Sequence, residues 1–142
     1  MKSVRPKMSG ILMLLVLMAA GCGGDPLGRQ AIDGSVTLDG TPLSHGNVRF
    51  EPQTVESPIS AGAVIDAGKF RIGRERGLPP GVYRVSISCP QMQSAIDQQT
   101  DAGGQAQELV PERYNRNTEL TATVTSDGTN MFQFELSTSP SQ

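Results

Sequence analysis

The stretch that most constrains the fold runs from Gly77 to Cys89. It opens with Pro79-Pro80-Gly81, in which two prolines fix φ and a glycine lets the chain reverse. Apolar and polar side chains then alternate strictly, with Tyr83, Val85, Ile87 and Cys89 on one face and Arg84, Ser86 and Ser88 on the other. Successive side chains of a strand point to opposite faces, so this pattern predicts a half-buried β-strand. Every other predicted strand needs that apolar face as a packing partner.

Six further segments show the same two-residue period between turn residues. They are 31–38, 47–51, 61–65, 69–72, 118–125 and 131–136, and with 82–89 they make seven strands. Asp39-Gly40, a three-residue hairpin turn Asp66-Ala67-Gly68, and Asp127-Gly128 supply strong turn signals between them. Seven short strands and no convincing helix predict an all-β fold, a seven-stranded antiparallel sandwich.

The N-terminal stretch has the features of a targeting segment. Residues 1–7 carry three positive charges, and residues 8–21 are free of charge and largely apolar, too short to span a bilayer. Ala20-Gly21-Cys22 resembles the lipobox of a bacterial lipoprotein signal peptide. The resemblance implies a signal peptide over 1–21 and acylation of Cys22, with palmitate among the expected chains, and two or more acyl chains anchor a protein stably. An ordinary signal peptide cut near Ala20, or an uncleaved anchor, is the alternative reading.

The remaining chain divides by composition. Residues 22–30 are rich in glycine and polar residues, which is typical of a flexible tether. Residues 31–137 hold the predicted sandwich, with a Gln-rich mobile loop over 91–108, and 138–142 form a polar tail. The whole chain has a net charge of −2, and loss of residues 1–21 would make it more acidic. This balance gives no electrostatic basis for binding nucleic acid.

The order of motifs in the mature domain resembles a known family. Gly34-Ser-Val-Thr-Leu-Asp-Gly-Thr-Pro-Leu, Val48-Arg-Phe, Gly68-Lys-Phe-Arg-Ile and Leu78-Pro-Pro-Gly-Val-Tyr-Arg-Val are similar to the carboxypeptidase-regulatory-like, or transthyretin-like, domain. Val110-Pro-Glu-Arg-Tyr-Asn, Thr118-Glu-Leu-Thr and Phe132-Gln-Phe-Glu-Leu resemble the small lipoproteins of planctomycete bacteria. The resemblance implies a Greek-key sandwich of prealbumin type and no established activity.

The residues that could carry chemistry are few. His45 is the sole histidine, so a catalytic triad or a zinc site lacks partners, and an exposed loop histidine is the simpler interpretation. Cys89 lies on the inward face of its strand and is expected to be a small core residue, with an intermolecular disulfide as the alternative. The carboxylates at Asp33, Asp39, Asp66 and Asp127 fit either ordinary turn chemistry or calcium-binding loops.

One interaction surface is suggested by the outward residues. Arg49, Arg71 and Arg84 are predicted to share an outer sheet face, where they would form a basic patch. Tyr114 lies in the motif 112–115, which reads either as a recognition loop or as an internally pinned loop. We expect no catalytic residue, no cofactor and no metal.

These observations predict a role rather than a reaction. We expect a lipid-anchored envelope protein, facing the periplasm or the exterior from the cell membrane or the outer membrane, that acts as a non-enzymatic structural or interaction module. Its expected partners are the membrane, through Cys22, and an envelope protein or glycan. The alternatives are a carbohydrate- or peptide-binding accessory domain of an envelope enzyme system, and an enzyme, which would need titratable groups converging in a pocket.

Overall fold

The computed structural model describes residues 25–54, 59–91 and 107–139, and their regular structure is almost entirely β. The signal segment and Cys22 lie outside these residues. The ten strands are β1 (Ile32–Leu38), β2 (Thr41–Pro42), β3 (His45–Pro52), β4 (Ala61–Asp66), β5 (Lys69–Ile72), β6 (Gly81–Ser88), β7 (Pro90–Gln91), β8 (Gln107–Glu108), β9 (Thr121–Val124) and β10 (Met131–Leu136). Within the described ranges, two short 3₁₀ helices span Arg74–Arg76 and Glu112–Tyr114.

All seven predicted strands are present, and the all-β sandwich is confirmed. β5 and β10 have the predicted bounds, and the others differ by one to three residues at an end. The predicted strand 118–125 is shorter as β9, because the Thr118 hydroxyl donates to the Val85 carbonyl at 2.5 Å and takes the chain out of a regular ladder. The additional strands β2, β7 and β8 have two residues each, too short for a periodic pattern.

Seven strands follow one hydrogen-bonded path, β10-β1-β5-β4-β3-β6-β9, that curls around the core. β2 pairs with β1 beside this path, and β7 and β8 form a separate two-stranded sheet. β4 and β5 share one residue pair, Asp66 and Lys69, and the path folds there into a three-stranded layer, β10-β1-β5, and a four-stranded layer, β4-β3-β6-β9. The β1–β10 pair is parallel, whereas the sequence predicted antiparallel pairing throughout. Strand direction depends on how the chain crosses between layers, which the alternation of one strand does not reveal.

Aromatic rings join the two layers. The Phe50 ring on β3 lies 6.0 Å from that of Phe70 on β5, and 6.1 and 6.5 Å from those of Phe132 and Phe134 on β10. The inward residues Tyr83, Val85, Ile87 and Cys89 of the organising stretch are at most 1% exposed. Each large side chain buried in this way contributes about 1.5–3 kcal/mol before the entropy of ordering the chain is subtracted.

Two tight turns follow the local chemistry of their residues. Asp39 and Gly40 have φ of 49° and 78°, and Ala67 and Gly68 have 47° and 75°. Two successive positive φ values are typical of a two-residue type I′ hairpin turn. The second turn therefore has two residues rather than the predicted three, and Asp66 pairs with Lys69 across it.

The strand registers define two ends of the sandwich. We call one of them the entry end: β1, β10 and β6 begin there, and β3 ends there. The Arg74–Arg76 helix lies at the same end. The Asp39-Gly40 and Ala67-Gly68 turns, Cys89 and the Glu112–Tyr114 helix lie at the opposite end, which we call the far end.

The described part of the predicted flexible tether is held against the entry end. The amide of Gln30 donates to the Leu78 carbonyl at 2.8 Å, and the Leu78 amide donates back at 3.2 Å. Arg29 donates through Nη1 to the carbonyl oxygen of Glu75 at 2.6 Å. Residues 25–30 therefore belong to the domain, and residues 22–24 of the predicted tether lie outside the described chain.

Candidate functional site

A hollow in the described surface lies on the outer side of the three-stranded layer. Strands β4, β5, β1 and β10 contribute to it, and the hollow has a volume of about 760 Å³. It is shaped by the curl of the sheet, because β4 rises at one side of the layer that contains β5, β1 and β10. We call this surface the concave face.

The concave face combines exposed apolar side chains with charges. Val64 and Met131 are 69% and 62% exposed, which is unusual for large apolar residues. Between them, Arg71 lies 3.5 Å from the Asp33 carboxylate, and Lys69 stands opposite Asp66. The ion pair is largely solvated and contributes little to stability. These charges therefore remain accessible to a ligand.

The structure divides the predicted basic patch between the two layers. Arg49 on β3 and Arg84 on β6 point outward from the four-stranded layer, whereas Arg71 belongs to the concave face. Arg49 also pairs with Glu51 at 3.0 Å, and Glu51 is the cross-strand neighbour of Arg84. Of the predicted arginines, Arg71 alone lines the concave face.

Tyr114 belongs to an arrangement that holds the end of the described chain. Its hydroxyl accepts a hydrogen bond from the Ser137 amide at 3.4 Å, and the Arg113 guanidinium lies 4.8 Å from the centre of its ring. Arg113 also donates to the carbonyl oxygens of Ser137 and Ser139. The neighbouring Arg113 side chain lowers the pKa of the Tyr114 hydroxyl from its usual value. These contacts match the internally pinned loop among the two interpretations of this motif.

Asp39 also holds the end of the described chain, through hydrogen bonds to Thr138. Its carboxylate accepts hydrogen bonds from the amide of Thr138 at 2.9 Å and from the Thr138 hydroxyl at 2.7 Å. These bonds, led by the hydroxyl, lower the pKa of the Asp39 carboxyl. The sequence identified Asp39 as a turn residue and missed this second role, since its partner is 99 positions away. We call Asp39, Arg113 and Tyr114, with residues 137–139, the C-terminal clasp.

Cys89 is a buried free thiol, as the alternation predicted. Burial raises the pKa of the thiol, and the negative charge of Glu108 adds to the effect. The Glu108 carboxylate accepts hydrogen bonds from the amides of Cys89 at 2.6 Å and Val110 at 3.0 Å. It therefore links the residue before β7 to the chain that follows β8. A raised pKa leaves little thiolate at neutral pH, so Cys89 is a poor nucleophile.

His45 and the turn carboxylates are dispersed over the surface. His45 is exposed at the start of β3, with the Ser44 hydroxyl 3.1 Å from its Nδ1. Asp33 pairs with Arg71 and Asp39 binds Thr138, so these two carboxylates have different partners. Across residues 25–54, 59–91 and 107–139, no group of three His, Cys, Asp or Glu side chains is arranged to hold a metal ion.

Comparison with known proteins identified no relative: no family model, curated protein or solved structure matches the chain. Within the described ranges, none of the helices has the length and apolar character needed to cross a membrane.

Proposed function

We propose that this chain is a lipid-anchored protein of the cell envelope and that its sandwich is a non-enzymatic interaction module. The anchor is the acylated Cys22, as the resemblance of residues 20–22 to a lipobox implies. The docking of residues 25–30 on the entry end supports the same arrangement, because a short link would then join the acylated residue to an ordered domain.

The concave face is the binding surface of this module. The observation that carries the proposal is the exposure of Val64 and Met131 at two sides of a hollow whose floor also bears Asp33, Lys69 and Arg71. Exposed apolar side chains next to a few polar groups are typical of recognition sites. The ligand that best fits is an extended peptide with alternating apolar and charged side chains.

A peptide fits this face better than a glycan does. Sugars are commonly held by stacking on exposed aromatic rings, and the aromatic lining residue here, Phe70, is 4% exposed. β10 is also the end of the strand path in the described chain, so its outer edge is suited to pairing with an added strand. Met131 and Gln133 belong both to that strand and to the concave face.

Site-specific photocrosslinking in native envelopes tests the proposal. A photoreactive residue at Val64 or Met131 is expected to give a defined adduct, and the same residue at Thr121 or Thr123, outward on β9, is not. Excess purified domain should compete the adduct away, whereas a domain carrying Val64→Glu should compete poorly. Equal labelling from both faces would overturn the assignment of the concave face.

The anchor has its own test. Cys22→Ser should release the protein from the membrane fraction, because no thioether to a lipid can form on serine. Retention of the variant in that fraction would contradict acylation of Cys22 as the means of attachment.

A further inference from the structure

The entry end carries apolar and basic residues side by side. Leu27 is 49% exposed and Val82 is 42% exposed, and both line one depression together with Pro26, Pro79 and Pro80. Next to it, Arg74 and Arg76 project from an exposed 3₁₀ helix. Asp25 is held by Arg29 at 2.8 Å, and Glu75 lies between the two arginines in the helix.

The chain also fixes how far this end lies from the proposed anchor. Asp25 is the third residue after Cys22, and an extended chain spans at most about 3.6 Å per residue, so the reach is roughly 11 Å. From Asp25 onward the path is held: the Asp25 carboxylate accepts from the Arg29 amide at 2.9 Å, and Gln30 pairs with Leu78. The entry end therefore stays close to the membrane surface when the acylated residue is inserted in the lipid.

We propose that the entry end rests on the lipid surface, with Leu27 and Val82 at the headgroup boundary and Arg74 and Arg76 against anionic headgroups. This inference rests on the lipid anchor of the proposed function. Apolar side chains flanked by arginines are the composition that favours the interface between headgroups and acyl chains. β1 rises away from this end over seven residues, about 23 Å, so the far end projects from the membrane.

In this orientation the concave face stands beside the membrane surface and does not press against it. Its strands run from the entry end to the far end, and its hollow extends to Asp66 and Lys69 beside the Ala67-Gly68 turn. The hollow then opens along the membrane rather than into it. A peptide of a neighbouring envelope protein can therefore reach Val64 and Met131 while the domain stays in contact with lipid.

Fluorescence quenching on the full-length lipidated protein tests the orientation. The probe is an environment-sensitive dye on single cysteines introduced at Leu27, Val82, Thr41 or His45, with the protein in vesicles of phosphatidylcholine and phosphatidylglycerol that contain a spin-labelled lipid. Cys89 is buried and so reacts poorly with the dye. Dyes at Leu27 and Val82 should be quenched several-fold more than dyes at Thr41 and His45. Equal quenching at the two ends, or stronger quenching at the far end, overturns the proposal.

Removal of the arginine charges at the contact gives a second, independent readout. Arg74→Gln with Arg76→Gln should bring quenching of the Leu27 dye in anionic vesicles down to its level in pure phosphatidylcholine. The matched pair Arg49→Gln and Arg116→Gln removes the same charge at exposed positions away from the entry end and should leave quenching unchanged. Flotation with vesicles separates the two hypotheses: failure to float contradicts the lipid anchor, whereas flotation without quenching at the entry end contradicts only the orientation.

Discussion

The two ends of the sandwich each hold one terminal segment of the described chain, and they do so by different chemistry. At the entry end, residues 25–30 are held by the backbone pair between Gln30 and Leu78, with side-chain hydrogen bonds from Arg29 and Arg74 beside it. At the far end, residues 137–139 are held by the side chains of Asp39, Arg113 and Tyr114. Backbone pairing depends on close approach and is sensitive to added volume. The C-terminal clasp depends on charge and hydrogen bonding, so it is sensitive to substitution and to pH.

The largest effect is expected beneath the entry end, at Tyr83. Tyr83 is 1% exposed, and its hydroxyl donates a hydrogen bond to the Pro79 carbonyl at 2.8 Å. Tyr83→Ala should lower the free energy of unfolding by about 3–5 kcal/mol, the cost of deleting a large buried ring. Tyr83→Phe keeps the ring and loses one hydrogen bond, so it should cost about 0.5–1.5 kcal/mol. Urea denaturation measures both, and similar losses would show that the hydroxyl, not packing, dominates.

Arg113 tests the C-terminal clasp. Arg113→Ala removes the donor to the carbonyls of Ser137 and Ser139 and the cation over the Tyr114 ring, and should cost about 1.5–3 kcal/mol. The matched control is Arg116→Ala, an exposed arginine three residues away. Amide exchange of residues 137–139 should accelerate in the first variant and not in the second. Equal stability of the two variants would mean that the clasp contributes nothing to folding.

Gly77 tests the backbone pairing at the entry end. A Cβ at this position would collide with the carbonyl group of Gln30, although the φ of Gly77, −71°, is open to any residue. Gly77→Ala should therefore destabilise by about 1–3 kcal/mol through crowding alone. At Gly73 a Cβ meets no atom within 4 Å, so Gly73→Ala is the control. Faster exchange of the Gln30 amide in the Gly77 variant alone would locate the damage at the docked segment.

The strands could be predicted because their signals are local. In β5 and β10 the alternation of Phe70, Ile72, Phe132 and Phe134 with polar residues lies between turns, and the bounds were correct. The buried position of Cys89 followed from the same alternation. Leu43, Leu78 and Val110 also lie in the core, but they stand in turns or irregular segments where no period marks the inward face.

The candidate site could not be predicted in the same way. Val64, Asp33, Arg71 and Met131 come from four strands, and only the order β10-β1-β5-β4 brings them together. Alternation shows that each side chain points outward, but it does not tell which layer it occupies. That is why Arg71 was grouped with Arg49 and Arg84, which belong to the other layer. The docking of residues 25–30 could not be predicted for a related reason, because the residues that bind this segment lie more than 40 positions away in the sequence.

The smallest expected effect is the change in melting temperature with pH that Asp39 contributes at the far end. The pKa of Asp39 is lowered in the folded protein by the hydrogen bonds from Thr138 and by the nearby charge of Arg113. A carboxyl whose folded pKa lies below its unfolded value stabilises the fold at neutral pH, and that stabilisation is lost as the pH falls through the folded pKa. The melting temperature of the wild type should therefore decrease as the pH falls from about 5 to about 2, through and below the ordinary pKa of aspartate.

Asp39→Asn should reduce that decrease, because asparagine does not titrate and tolerates the positive φ of 49° at this position. Thr138→Val removes the hydroxyl donor and keeps the amide, so its acid response should lie between those of the wild type and Asp39→Asn. Asp25, whose pKa is lowered chiefly by the side chain of Arg29, bonds within its own segment, so its protonation should loosen residues 25–30 without releasing residues 137–139. Amide exchange at pH 3 can follow both segments at once. Release of residues 25–30 by Asp39→Asn at neutral pH, where Asp25 is still ionised, would mean that the ends are coupled through the core, and would remove the distinction between them.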